Sequence, residues 1–279
     1  MGSLDELSEP ILEYVDSARI LDLFTQYVEK QHAQKGKIEH PRISKDPEGN
    51  VNIYLDGEIN IKEMLPEIFV FCDRRGFVGC AIRSFDNNNH LTRVRVDFDY
   101  NTFEKNEERA LCVIAHEIGH VLADEHVNLE AEKNEIDLGG YSEPFERVED
   151  FENELAIMLH HLSIYINGEV QAYNYGKIVV DSFGVDQTTF EYYMEPALRS
   201  HVTDAFYHCR QFVTKMLADL EKSTGSKFST EKTFKIYDTS LQEDVEVTFE
   251  ELIEILGRYD EKEFEMAKDA IENSERITK

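Results

Sequence analysis

The stretch Ala115-His116-Glu117-Ile118-Gly119-His120 limits this chain more than any other feature, because it spells H-E-x-x-H inside a run that reads as helix from Glu107. Residues four apart on a helix share a face, so His116 and His120 present two imidazoles to one point. Such a pair suits Zn²⁺, which takes neutral imidazole nitrogen at about 2.0–2.1 Å in a tetrahedral site. Glu117 leans toward the same face, where it can accept a proton from water at the metal. Leu111, Ile114, Ile118 and Leu122 fall on another side and are expected to bury the helix. The plainer alternative is two surface histidines that happen to flank a glutamate. With ten His in the chain, that coincidence is expected on the order of a few times per hundred sequences of this composition.

At 279 residues and 41% hydrophobic content, the chain can bury a sizeable core in one large domain or two small ones. Acidic residues outnumber basic ones 57 to 29, and the net charge of −28 repels phosphate backbones. Direct nucleic-acid binding is therefore disfavoured, and the acidic surface suits a basic partner protein or simply keeps the chain in solution. Cys72, Cys80, Cys112 and Cys209 form no C-x-x-C pair and are too few for a disulfide framework, which points to reduced thiols. The first residues lack a basic and apolar leader, and no apolar run approaches the roughly 18 residues needed to span a bilayer. The expectation is a cytoplasmic protein without membrane contact, or one secreted by a route that needs no such leader.

Apolar residues at helical spacing predict an amphipathic helix over residues 9–31. Val51 to Leu55 alternates like a strand. Residues 61–71 are apolar and ambiguous, with Pro66 against an unbroken helix. Residues 76–85 and 91–100 read as a hairpin about the turn Asn87-Asn88-Asn89, with Val94, Val96, Phe98 and Tyr100 on one face and Arg93, Arg95, Asp97 and Asp99 on a wet one. A sharper alternative makes one of these strands an edge that pairs with an extended substrate backbone. Asn101 and Glu104 offer a capping box for the H-E-x-x-H helix, which is expected to run to about residue 125. A long acidic connection, 127–140, leads to a second helix opening at Ser142 and Pro144 and passing through Leu162. Beyond Gly168 the pattern predicts helix over 187–220 despite Pro196, a small hairpin at 234–238 and 245–249, a helix capped by Thr248 and Glu251, and a last acidic helix over 261–275.

Two imidazoles need a third protein ligand if water is to take the fourth position. His126 lies six residues beyond His120, the spacing of metzincin-type proteases. Six residues of continuous helix turn a side chain about 120° off the metal face, so the chain must break first. Ala123, a helix former, stands where those proteases place a glycine. The other candidate is the downstream helix, where Glu149, Asn153, Ala156 and His160 fall on one stripe. A carboxylate there can face the metal, and Asn153 can hydrogen-bond a ligand imidazole. Glu149 also belongs to an acidic run that solvates readily, with Glu146, Glu152 and Glu154 as fallbacks.

Val96-Asp97-Phe98-Asp99-Tyr100 followed by Ile114-Ala115-His116-Glu117-Ile118-Gly119-His120 resembles the core of the ImmA/IrrE-type metallopeptidases. There a strand leads into an A-H-E-[IL]-G-H helix, and a later helix carries E-x-x-[A]-[N]-x-[F]-[A]-x-x-[L]. Glu149, Asn153, Ala156 and Leu159 match that second pattern, with Glu152 in place of its first small residue and Leu155 in place of Phe. The likeness covers roughly residues 76–165. It implies a gluzincin-like zinc site of His116, His120 and Glu149 with Glu117 as base, and a regulatory protease acting on a specific protein. For the donor to the oxyanion, His161, Tyr165 and Tyr141 are candidates.

The resulting expectation is an α+β protein. It has a mainly helical zincin-like core at 1–183, a small antiparallel sheet beside the H-E-x-x-H helix, and a helical acidic region at 184–279. The expected activity is zinc-dependent peptide-bond hydrolysis. Two rivals stand beside it: a regulatory protein that keeps the zinc fold and docks a partner through its acidic C-terminal region, and a metzincin-like effector that uses His126.

Overall fold

The computed structural model describes residues 43–45, 51–55, 59–60, 69–73, 79–85, 91–98, 106–123, 145, 147–225, 228–229, 231–239 and 241–276. The expected helix at 9–31, the turn at 87–89, the capping pair Asn101 and Glu104, and the loop at 127–140 lie outside them.

Three short strands, β1 (Ile43–Lys45), β2 (Val51–Leu55) and β3 (Ile59–Asn60), form one antiparallel sheet. A second sheet holds β4 (Phe69–Asp73), β5 (Cys80–Phe85) and β6 (Leu91–Phe98), with β6 in the middle. β5 and β6 pair antiparallel, as the hairpin reading expects, with Cys80 opposite Asp97. β4 instead lies parallel to β6, from Phe69 opposite Val94 to Asp73 opposite Phe98, so this sheet is mixed rather than purely antiparallel. Val96 and Phe98 are buried on the helix-facing side. The opposite face is not uniformly wet: Asp97 is fully buried, and its carboxylate accepts from Arg95 Nε at 2.6 Å and Nη2 at 2.9 Å. A two-pronged guanidinium contact is what lets a carboxylate leave water at tolerable cost.

The H-E-x-x-H helix, α1 (Glu107–Leu122), begins where Asn106 Oδ1 accepts from the Arg109 N–H at 3.0 Å, with Glu107 and Glu108 at the positive end of the helix dipole. Every residue from Ala110 to Gly119 is buried, so α1 is a core helix and not merely an amphipathic one. It stops at Leu122. Ala123 leaves the helix at φ −60°, ψ 155°, so the helix ends about three residues earlier than expected and with no glycine needed for the break.

Next comes α2 (Val148–Ser182), 35 residues long and about 50 Å by helix rise, which continues straight past Gly168. A turn containing Gly184 (φ 69°) leads to α3 (Gln187–Thr224), capped by Asp186, which accepts from the Thr189 N–H, and closed by Gly225 at φ 67°. Pro196 sits inside α3 without ending it. The chain finishes with the hairpin β7 (Thr233–Asp238) and β8 (Glu243–Thr248), then α4 (Phe249–Gly257) and α5 (Glu261–Arg276). Thr248 and Glu251 form the expected capping box of α4.

The architecture is therefore α+β and mainly helical. Two apolar clusters hold it together, and α2 belongs to both. Its first half supplies Phe151, Leu155, Leu159 and Leu162 to a cluster with Phe212, Met216, Leu220, Phe234, Phe249 and Leu252. Its second half supplies Val179 and Val180 to a cluster with α1, β6 and Phe190. The expected boundary at 183/184 falls in the α2–α3 turn, yet the first of these clusters draws on both sides of it. Among the described residues no helix is long and apolar enough to cross a membrane.

Candidate metal centre

α1 and α2 cross where neither carries bulk. A Cβ built on Gly119 would fall on the Ala172 carbonyl, and one on Gly176 would lie 3.1 Å from the His116 Cα and 2.7 Å from the Phe190 ring. Two glycines thus let the backbones approach more closely than any side chain permits. Ala172, which meets Gly119 at this crossing, fixes which part of α2 faces the two histidines. One turn before it stands Glu169.

The Glu169 carboxylate reaches both imidazoles. Its Oε2 lies 3.5 Å from His116 Nε2 and 3.7 Å from His120 Nε2, and the ligand atoms of all three lie within 4.8 Å of one another. The His rings stand 4.8 Å apart at 79° to each other. In a tetrahedral site with bonds of about 2.1 Å, neighbouring ligand atoms are about 3.4 Å apart, close to the two distances from Glu169. They are also too long for good hydrogen bonds. Glu169 Oε2 and His116 Nδ1 are both buried without a hydrogen-bond partner. Buried polar atoms rarely stay orphaned, so a carboxylate oxygen aimed between two imidazole nitrogens fits a group that can hold a metal ion. His120 keeps 22% of its side chain exposed, and through it the centre meets solvent.

The charges agree with this arrangement. Burial favours the neutral form of Glu169, but the facing His120 and His116, with His201 beyond them, outweigh it and bring the carboxyl down to about 2. Burial lowers His116, and the carboxylates of Glu169 and Glu117 more than reverse it, leaving the ring above its ordinary value. Glu117, 9% exposed, points toward β5: a Cβ on Gly79 would lie 2.7 Å from its Oε1, and the Ala81 backbone hydrogen-bonds the carboxylate. Burial, the largest influence, pushes Glu117 up to about 7, against the opposing pull of His116. One turn before Glu169, the Tyr165 hydroxyl lies 3.2 Å from His201 Nδ1 of α3. Burial, then the charges of Glu169 and Asp204, raises the Tyr165 phenol.

Of the residues singled out in the sequence, His116, Glu117 and His120 come together. Glu149 and Asn153 do not join them. Both are exposed on the first half of α2, and Glu149 lies twenty residues, about 30 Å of helix, from Glu169. Glu152 is engaged elsewhere, with Lys232 at 2.8 Å, and Asn153, Ala156 and His160 line a separate cavity of about 390 Å³. Glu154 stands on the same early stretch of α2. His126, Tyr141 and Glu146 lie outside the described residues.

Following the second helix only through Leu162, with Gly168 beyond it, hid Glu169. A glycine inside a helix costs only about 1 kcal/mol and does not by itself stop one. The useful signal was there: a single acid in an apolar stretch, followed by the small residues Ala172 and Gly176 on the face that packs closest. Set at Glu169, the second pattern quoted above finds Ala172 in its small position, Tyr175 in its aromatic one, Gly176 in its second small one and Val179 in its aliphatic one, with Tyr173 where it has Asn.

No family model, curated protein or solved structure matches this chain.

Proposed function

We propose that the chain is a zinc metallopeptidase in which His116, His120 and Glu169 hold the metal and Glu117 is the general base. The observation that carries this reading is the buried three-ligand group with its orphaned Glu169 oxygen and a second carboxylate, Glu117, on the adjoining helix position. Zinc in such a set lowers the pKa of water toward about 7 and polarises a carbonyl. Glu117, raised to about 7 by burial, is matched to accept the proton of the attacking water and return it to the leaving amine. Tyr165, held by His201, is the donor assigned to the developing oxyanion.

The substrate class follows from β5. It is an edge of its sheet among the described residues and begins beside Glu117, so an extended peptide laid along that edge would pass the general base. The resemblance to ImmA/IrrE-type metallopeptidases supports the same reading and favours a specific protein target over general digestion.

The test is cleavage of a random peptide library by the zinc-loaded chain, read by mass spectrometry beside Glu117→Gln. The expected result is discrete cleavage that falls by roughly 10²–10⁴-fold in the variant while zinc content stays unchanged. Equal cleavage by both proteins contradicts the role of Glu117. Zinc-loaded protein that cuts nothing contradicts the peptidase reading, and partner binding by the acidic C-terminal region then becomes the better account.

A further inference from the structure

A second cavity, of about 530 Å³, lies between α2, α3, the β7–β8 turn and the start of α5. Its volume is in the range of small-molecule sites, about 300–1,000 Å³. Val170 and Tyr173 line it; Glu169 does not, so it is distinct from the metal centre.

Its lining is organised. Val170, Leu198 and Val202 make an apolar floor, and Tyr173 and Tyr259 stand on facing elements. Thr203 also lines it, at 3% exposure, and its hydroxyl makes no hydrogen bond among the described residues. Helix hydroxyls usually satisfy themselves on the carbonyl four residues back, as Thr214 and Thr224 do on the same helix. The Thr203 hydroxyl makes no such bond and is a polar group available at the cavity wall. At the hairpin turn, Gln242 adopts φ 56°, a conformation unusual outside glycine and asparagine, and its side chain accepts from Asn174 Nδ2 at 3.3 Å across the rim.

The charges at the mouth are selective. Arg199 and Glu263 neutralise each other at 2.7 Å. Arg258, on the Tyr259 side, and Glu195, on the Tyr173 side, make no ion pair among the described residues. A ligand of a single charge would satisfy one of them and face a like charge at the other. A ligand with both charges satisfies both.

We propose that this cavity binds a small zwitterion with an apolar side chain: a free amino acid or a short peptide. The carboxylate meets Arg258, the ammonium group meets Glu195, the side chain rests on Val170, Leu198 and Val202, and Thr203 takes a backbone polar atom.

Calorimetric titration of the full zinc-loaded chain with leucine, Leu-Leu, N-acetyl-leucine and leucine amide tests this. Leucine or Leu-Leu binds, which also separates the single amino acid from the peptide, and masking either terminus weakens binding by roughly tenfold or more. Arg258→Gln weakens leucine by a similar factor but leaves leucine amide unchanged, and Glu195→Gln does the same for leucine against N-acetyl-leucine. Both residues are exposed, so neither variant endangers the fold. Failure of all four probes to bind at millimolar concentration overturns the site. Binding of N-acetyl-leucine or leucine amide as tight as leucine, or indifference to both substitutions, overturns the zwitterion.

Discussion

Glu149 and Glu169 are the same residue type on one continuous helix, yet one is bathed in water and the other is buried against two imidazoles. The first half of α2 packs apolar side chains against the C-terminal hairpin and α4, leaving its acids outside. The second half crosses α1 at a pair of glycines, and there an acid is carried inside. Residue type does not separate the two positions, which at 100° per residue lie about 200° apart round the helix. The partner helix does, and its approach is set by small residues.

The largest effect should come from closing that crossing. Gly119→Ala places a methyl group on the Ala172 carbonyl, a backbone atom that cannot swing aside, so a loss of about 3 kcal/mol or more is expected. Chemical denaturation checks it, with Gly257→Ala as control, since a Cβ there meets nothing within 4 Å. Equal stability of the two variants would mean that α1 and α2 are not held this closely.

Much of this was readable beforehand because the signals are local. The H-E-x-x-H helix, the β5–β6 hairpin and the Thr248–Glu251 cap each rest on signals within a short stretch of chain, and each forms where the spacing put it, the helix only stopping short of residue 125. Pairings across long separations were not readable. The parallel partnership of β4 with β6 depends on a connection that periodicity does not reveal. The burial of Asp97 depends on Arg95 and on packing over a face that the alternating pattern marks as polar. Glu169 was missed for the same reason: its neighbours in space are fifty residues away in sequence, whereas Glu149 has a better match to a linear motif.

A smaller effect distinguishes the apolar half of α2. Leu155, fully buried, should cost about 2–5 kcal/mol on replacement by Ala while zinc stoichiometry below the melting transition stays the same. Loss of zinc in the folded Leu155→Ala protein would show that the two halves are coupled more tightly than their separate clusters imply.

Glu117 gives an effect of opposite sign. Its folded pKa of about 7 exceeds the ordinary 4.5, so the protonated form is favoured by folding. Its stability contribution is complete below pH 4.5 and is lost as pH rises through 7. Glu117→Gln never ionises, and the metal-free variant is expected to be about 1–3 kcal/mol more stable than the unmodified chain above pH 7, with the gain fading toward pH 4.5. Denaturation across that range, with chelator present, reads the difference. Glu169 runs the other way: held low at about 2, it contributes stability above pH 4.5 that is lost as pH falls toward 2.

The smallest effects belong to the wet stripe. Glu149→Gln should change stability by less than about 0.5 kcal/mol, and breaking the partly exposed Glu152–Lys232 pair with Lys232→Ala by about 0–1 kcal/mol. Thermal melts suffice to compare them, and a shift as large as that of Leu155→Ala would place this stripe in the core.

The central claim is that Glu169, and not Glu149 or His126, completes the metal centre. Zinc content per chain, measured by elemental analysis on the unmodified protein beside Glu169→Ala, Glu149→Ala and His126→Ala, addresses it directly. The account predicts one zinc in the unmodified protein, retained with Glu149→Ala and His126→Ala and lost with Glu169→Ala. Zinc retained at full stoichiometry in Glu169→Ala, or lost in either of the other two, would contradict it.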